Sequence, residues 1–325
     1  MMAALKLGLA GCGRIAQLVH LKVLRELPGV ELAAVAEADP QRLDEARRLA
    51  PGAAAVSSYE ELIAMPGVEA VVICLPNDLH ARAAAAALRA GKHVYLEKPL
   101  ATSLAEARPA LEAWRRAGRV GMIGFNYRFH PLYRSARLRL ERGELDELLG
   151  ARSVFCSAAR PLPPWKRSRQ SGGGALLDLA SHHIDLVHYL FGQAVCEVAA
   201  TLRSVHSEDD TATVELRLAG GMQVQSFFSL DAVDEDRFEI YGRGGKLIID
   251  RQRLGLVESL FEKMGRPRRE PSYAAALQHF VAAAQGCLRA EPDLEDGRRS
   301  LAIVEAAEES ARTGRAIALD AEVCA

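Results

Sequence analysis

Short apolar runs alternate with amphipathic stretches over the first 125 residues of this 325-residue chain. Leu5 to Ala10, Glu31 to Ala36, Ala70 to Leu75, Val94 to Leu96 and Val120 to Phe125 are apolar almost throughout, the pattern of strands covered on both faces of a parallel sheet. Helical patterns lie between them. Residues from Arg14 to Glu26 put Ile15, Leu18, Val19 and Val23 on one face. Asp39-Pro40 opens a helix to about Ala50, Asn77 caps an Ala-rich helix from Asp78 to Ala90, and Ser58-x-x-Glu61 and Ser103-x-x-Glu106 read as capping boxes, the latter heading a helix to about Ala117. Strictly alternating strand and helix predicts a doubly wound parallel sheet.

The period changes after residue 125. A helix follows Pro131 through Leu138 and Leu140, Ala151 to Ala158 reads as a strand, and a loop rich in Pro and Gly fills 160–174 before a helix from Ala175 to Phe191. Thr211 to Leu218 and Met222 to Leu230 alternate strictly, with Ala212, Val214, Leu216 and Leu218 on one side of the first and Met222, Val224, Phe228 and Leu230 on one side of the second. Phe238 to Tyr241 and Lys246 to Asp250 add two strands joined by Gly242-Arg243-Gly244-Gly245, residues 251–271 read as a flexible charged connection, and helices over Tyr273–Gln285 and Glu295–Arg312 close the chain. Period-two alternation with tight turns predicts an antiparallel sheet with one covered face. The expected fold class is therefore mixed: a parallel α/β domain over 1–125 and an α+β domain over 126–325. Helices cover one sheet face; the other, broad and partly polar, reads as a surface for a homodimer or homotetramer.

Composition narrows the class of partner. Formal net charge is −1, with no basic excess to neutralise phosphates, which argues against nucleic acid. The six cysteines show no C-x-x-C pair and no zinc spacing, so they read as free thiols of a reducing compartment. No apolar run approaches the roughly 20 residues of a spanning helix, and Met1 to Lys6 leads straight into a strand with no room for a signal peptide. Localisation is expected to be cytoplasmic, away from membranes.

The chemistry concentrates at strand ends. Gly11-Cys12-Gly13-Arg14-Ile15-Ala16 is a G-x-G-x-x-A turn between a strand and a helix, where Gly11 permits the turn, Gly13 lets backbone approach a pyrophosphate and Ala16 lets helix and strand pack closely. Glu37 ends the second strand about 20 residues on, where a carboxylate accepts hydrogen bonds from ribose hydroxyls and repels a 2′-phosphate. That favours NAD, while Arg42 nearby keeps NADP open. Leu75, Pro76, Asn77 and His80 follow another strand on the same carboxyl edge. So do Glu97 and Lys98, because Pro99 cannot continue the strand before them. An ammonium held there is suited to donate a proton or to stabilise an alkoxide.

In the second half, Gly172-Gly173-Gly174 precedes a helix on which Asp178, His182 and Asp185 fall at i, i+4 and i+7. A carboxylate one turn from an imidazole can orient it as a general acid or base, and the glycines would let the helix end approach a ligand. His183 lies about 100° round the helix from His182, so His182 is the candidate. Asp178, His182, Asp185 and His188 as metal ligands is the rival reading, though they match no common metal signature. Tyr127, Arg128, Trp165 and Lys166 are candidates to touch substrate, with Lys166 or Arg167 meeting an anionic group; Trp165 as a loop anchor beside a solvated basic pair is the alternative.

These stretches together resemble the glucose–fructose oxidoreductase/inositol dehydrogenase (Gfo/Idh/MocA) family. The likeness covers the glycine turn, Pro76-Asn77 with His80, Glu97-Lys98-Pro99, Gly124-Phe125-Asn126-Tyr127-Arg128-Phe129, the run 172–185 and Asp296-Gly297-Arg298. It implies an N-terminal Rossmann domain, a C-terminal open-faced and mainly antiparallel sheet, and NAD(P)-dependent hydride transfer at a hydroxyl or carbonyl carbon of a sugar, cyclitol or sugar derivative. It makes Lys98, Asp178 and His182 the catalytic residues, with Glu97 and Lys98 also near the cofactor and a cis Lys98–Pro99 bond. Ala180, where such proteins often have glycine, and His183 are departures that bear on the substrate pocket. An NAD-dependent glycosidase that recycles its cofactor, and a dinucleotide-sensing regulator without turnover, are the alternatives within the resemblance.

Overall fold

The computed structural model describes residues 3–159, 161–252 and 270–320. The expected connection at 251–271 falls mostly on residues 253–269, outside that range. The chain packs as two units: Met1–Asn126 with Tyr273–Leu301, and Tyr127–Ser272 with Ala302–Ala325.

In the first unit six parallel strands, β1 Leu5–Ala10, β2 Val30–Ala36, β3 Ala54–Val56, β4 Ala70–Ile73, β5 His93–Leu96 and β6 Gly121–Ile123, stand in the order β3-β2-β1-β4-β5-β6. Strand order reverses between β1 and β4, which opens a crevice at their carboxyl ends. The helices start as the sequence predicts. Asp39 caps α2 Pro40–Leu49, Ser58 caps α3 Tyr59–Ala64 and Ser103 caps α5 Leu104–Ala117, each accepting a backbone N–H three residues on. The helix over residues 14–26 departs from regularity, with a π-type turn at Ala16–His20 before α1 Leu21–Glu26. Asn77 does not cap the Ala-rich helix: a 3₁₀ turn, Asn77–Leu79, comes first, and α4 His80–Arg89 follows Leu79 without a side-chain cap. Strand β3 escapes sequence reading because its three residues are partly exposed and too few to show a period.

Residues 273–301 pack with this first unit. Helix α8, Pro271–Ala284, sets Phe280 edge-on against Tyr95 of β5 at 5.7 Å. The Ile123 N–H donates to Pro292 C=O at 3.1 Å, continuing the edge of the sheet.

The second unit holds a seven-stranded sheet made of β7 Leu148–Cys156, β8 Val195–Arg203, β9 Thr211–Leu218, β10 Gln223–Ser229, β11 Glu235–Gly242, β12 Gly245–Asp250 and β13 Ile317–Ala318. Its order is β12-β11-β7-β10-β9-β8-β13, antiparallel except for β7 and β10, which run parallel. The alternation in β9 and β10 is as expected, with Ala212, Val214, Leu216, Leu218, Val224 and Phe228 all buried. Strand β8 was hidden because its register slips between Val195 and Glu197, which breaks the period of two. Helix α6, Pro131–Glu141, and helix α7, Ser181–Phe191, belong to this unit, and His183 of α7 lies against Phe155, Phe228 and Phe238 on the covered face. The last helix, α9 Leu294–Thr313, reaches β8 through a hydrogen bond from Ala200 N–H to Ser310 Oγ at 3.0 Å.

Candidate active site

In the first unit the glycine turn stands at the crevice. Gly11 has φ +89°, and a Cβ there would lie 2.5 Å from the Cys74 carbonyl oxygen at the end of β4, so only glycine lets the two strand ends meet. Gly13 is the opposite case. Nothing lies within 4 Å of where its Cβ would sit, which leaves an open cradle before the helix. Two side chains brace the turn. Gln17 Nε2 donates to Cys12 C=O at 3.0 Å, and Glu37 accepts from Cys12 N–H at 2.8 Å and from Asp39 N–H at 3.0 Å. Each Glu37 oxygen retains a further lone pair. Cys12 is an internal thiol, pushed up to about 12 by burial and then by the Glu37 charge. A flush backbone turn, an open cradle and an anchored carboxylate fit a dinucleotide; Arg14 and Ile15 open the helix on its exposed side, and Leu75 and Pro76 line the end of β4.

His80 is 1 % exposed, with Nδ1 2.6 Å from Pro99 C=O and Nε2 2.8 Å from Leu75 C=O, so it staples the loop after β4 to the Lys98–Pro99 segment. Burial lowers its pKa, and the two carbonyls oppose that. Asn77 is buried in the 3₁₀ turn. The Lys98–Pro99 bond is cis, as the resemblance implied. Glu97 is buried and held from two sides. His20 Nε2 lies 2.8 Å from its Oε1, and a Cβ on Gly124 would fall 3.0 Å from its Oε2. His20 was not anticipated. It is fully buried at the end of the π-type turn, ringed edge-on by Tyr95 and Tyr273. The amphipathic pattern gave no sign of it: Ile15, Leu18, Val19 and Val23 mark the expected inner face, yet Leu18 is 54 % exposed and the buried positions are Ala16, His20, Leu21 and Leu24.

In the second unit the predicted residues are held by ion pairs and ring stacking. Asp178 lies in a π-type turn, Leu176–Ala180, rather than in regular α-helix, so the simple i, i+4 face does not hold there. Its carboxylate is gripped by Lys166, whose Nζ is 2.7 Å from both oxygens. Lys166 is therefore not a solvated cation; its ammonium also lies 5.4 Å from the centre of the half-buried Trp165 ring. Arg167, next to it, is exposed and donates to Leu162 C=O at 3.0 Å. Within the glycine run, Gly173 admits protein backbone: a Cβ there would collide with the Lys166 carbonyl oxygen. Arg128 pairs with Asp185, with Nε at 2.9 Å from Oδ2 and Nη2 at 2.5 Å from Oδ1.

His182 is 7 % exposed and stacks on the Tyr127 ring at 4.3 Å and 15°. Ala180 and His183 point into the core; His183 Nε2 lies 3.3 Å from Asp236 Oδ1. Buried Asp236 and the partly buried Arg251 and Glu270 form a network that sequence reading missed. Asp236 accepts from Tyr127 Oη at 3.0 Å and pairs with Arg251, which reaches Glu270 at 2.6 Å. Burial drives the Asp236 carboxyl upward, but the His183 hydrogen bond and charge, the Arg251 charge and the Tyr127 hydroxyl hold it below the usual range. Its signal was parity: with Phe238 and Ile240 facing inward, Asp236 must face inward too. Among the described residues no group of three or more His, Cys, Asp or Glu could hold a metal. No helix among them is long and apolar enough to cross a membrane.

This fold and these residues define a nicotinamide-dependent oxidoreductase. Residues 5–125 match the oxidoreductase family with an NAD-binding Rossmann fold, and residues 133–248 match the Gfo/Idh/MocA C-terminal domain. The chain belongs to the Gfo/Idh/MocA family of NAD-binding oxidoreductases. Among its relatives, 1,5-anhydro-D-fructose reductase of Ensifer adhaerens is 32% identical over 82% of this chain and 84% of the relative. Myo-inositol 2-dehydrogenase of Thermotoga maritima is 28% identical over 97% and 99%. Among solved structures, levoglucosan dehydrogenase in complex with NADH and L-sorbose superposes with a TM-score of 0.86 at 25% identity, covering 98% of this chain and 100% of that one. These relatives are dehydrogenases and reductases, and they lend no support to the glycosidase or the sensor.

Proposed function

We propose that this enzyme uses NAD to oxidise a secondary hydroxyl of a cyclitol or sugar, or to reduce the corresponding carbonyl. The observation that carries the cofactor choice is the anchored Glu37: two backbone N–H groups fix its carboxylate, and its remaining lone pairs suit ribose hydroxyls while its charge opposes a 2′-phosphate. Gly11, Cys12, Gly13, Arg14 and Ile15 would bind the pyrophosphate end, and Leu75, Pro76, Asn77, Glu97 and Lys98 the nicotinamide end. Bound NAD supplies the hydride acceptor. The chain's own groups handle the proton and the charge. His182 takes the hydroxyl proton, Lys98 stabilises the alkoxide that develops, and Asp178, paired with Lys166, orients the imidazole. Trp165 offers a face for a sugar ring.

The open sheet face supports an assembly of copies, a homodimer or homotetramer. Phe227 and Ile248 are exposed there beside Arg152, Arg237 and Lys246. The unpaired thiols of Cys12, Cys74, Cys156, Cys196 and Cys287 fit the cytoplasm.

Absorbance of the reduced nicotinamide tests the reading. The protein is incubated with NAD or NADP against cyclitols, free sugars, sugar acids and nucleotide-sugars. NADH is expected to form with a neutral polyol, and Lys98→Met to lose about 10²–10⁴-fold in kcat. Reduction of NADP alone would overturn the Glu37 argument. Full turnover by Lys98→Met would overturn the catalytic assignment.

A further inference from the structure

We propose that Tyr127, tethered through its hydroxyl to Asp236, is the positioning residue that fixes the His182 imidazole. The inference rests on His182 being the proton-transfer group of the preceding subsection, and its observations lie wholly within the second unit. His182 lies 4.3 Å from the Tyr127 ring centre at 15°, and the Arg251 guanidinium carbon lies 3.8 Å from that same centre. Two groups so close to one ring centre cannot share a face, so Tyr127 is sandwiched between an imidazole and a guanidinium. Neither the ring nor the cation behind it is loose. Arg251 is held by the Asp236 carboxylate and by Glu270, 2.6 Å from its Nη2. Tyr127 is held by Asp236 Oδ2 at 3.0 Å, with Tyr133 parallel to it at 5.9 Å and 12°. Asp236, 2 % exposed, thus orders both the ring and the cation behind it, and His183 and Tyr133 fill its other oxygen at 3.3 and 3.4 Å. Phe155 lies 6.1 Å from the His182 ring, tilted by 57°.

The arrangement exceeds what packing requires. An apolar core would bury leucine or phenylalanine there. Burying a carboxylate, a guanidinium and a tyrosine hydroxyl costs desolvation that only a fixed, hydrogen-bonded geometry offsets. What that geometry delivers at its outer end is one orientation of the His182 ring. Orientation of this kind appears in kcat, because a reacting group displaced by about 1 Å costs on the order of 10²-fold.

The test combines kinetics with NADH-forming substrate and the ring-proton shifts of His182 in the protein alone, labelled with ¹³C-histidine and assigned by loss of the signal in His182→Gln. Stacking on tyrosine moves those protons upfield. In Tyr127→Leu the shift should vanish and kcat fall about 100-fold with KM within about threefold. Tyr127→Phe, which keeps the stack and loses the tether, should keep most of the shift and recover to within about 3–10-fold of wild type. A raised KM with unchanged kcat in Tyr127→Leu would make Tyr127 a substrate contact and overturn the proposal. So would unchanged kcat alongside a lost shift. Should Tyr127→Leu fail to fold, Tyr127→Phe decides: wild-type kcat with an unaltered shift would overturn the role of Asp236. Absence of turnover in the wild-type protein would instead overturn the dehydrogenase reading, while a His182 shift that persists in Tyr127→Leu would overturn the positioning role by itself.

Discussion

Glu97 and Asp178 are both nearly buried carboxylates beside a group expected to handle charge or a proton, and the two units hold them by different means. Around Glu97 the work is done mostly by main chain. Gly11 turns flush against the Cys74 carbonyl, Gly124 presses on the carboxylate, and His80 ties two loops through their carbonyl oxygens. Around Asp178 it is done by side chains meeting side chains: Lys166 with Asp178, Arg128 with Asp185, and Tyr127 with Asp236 and Arg251. A main-chain scaffold tolerates almost no change at a few glycine and proline positions. A scaffold of ion pairs tolerates compensated change but not the loss of one partner.

Three substitutions separate the two cases. The largest effect on stability is expected from Gly11→Ala, whose methyl meets a backbone carbonyl and whose φ of +89° disfavours any side chain. A loss of about 2–4 kcal/mol in denaturant unfolding, with weakened NAD binding by calorimetry, is the expected result. A stability within 0.5 kcal/mol of wild type would show that the main chain there is softer than the comparison holds. Next comes Lys166→Met, which removes the ammonium from the Asp178 carboxylate and should cost about 1–3 kcal/mol. Adding Asp178→Asn should return much of that loss, a coupling that a double-mutant cycle measures. Strict additivity would break the contrast.

The smallest effect is expected on the open sheet face. Burial pushes the Glu239 carboxyl up, but hydrogen bonds from Tyr241, Lys246 and Arg237 overcome it and hold the pKa at about 2, below 4.5. A depressed folded-state pKa stabilises fully above the unfolded value. That contribution fades as pH falls from about 4.5 towards 2. Glu239→Gln should therefore be about 1–2 kcal/mol less stable than wild type at pH 6 and nearly equal to it near pH 2, read by urea unfolding at each pH. An equal deficit at both values would remove the ion-pair explanation.

The same contrast explains what could be read from sequence. Main-chain devices leave local marks. Gly11-x-Gly13, Pro99 after a strand and Ser103 three residues before Glu106 all appear within a few positions of the structure they cause. The alternation in β9 and the helix caps were legible for that reason. Side-chain partnerships leave no local mark when the partners lie far apart. Lys166 and Asp178 are 12 residues apart, Arg128 and Asp185 are 57, and Tyr127 and Asp236 are 109. Each of those six residues except Asp236 drew notice by itself, but nothing in the chain said which would meet which. The π-type turn at Leu176–Ala180 added to the difficulty, because it shifts Asp178 off the face that regular helical counting assigns.

The crossing of Gly173 beneath the Lys166 carbonyl has a practical side. The segment from Pro161 to Gln170 is fastened at that crossing and by the Lys166 grip on Asp178, while Pro161, Pro163, Pro164, Arg167 and Gln170 are exposed. It can be treated as an exchangeable cassette with a fixed clasp. A library that retains Lys166 and Gly173 and diversifies the exposed positions would vary the loop without dismantling the platform, whereas one that randomises the clasp would spend most of its members on misfolded chains.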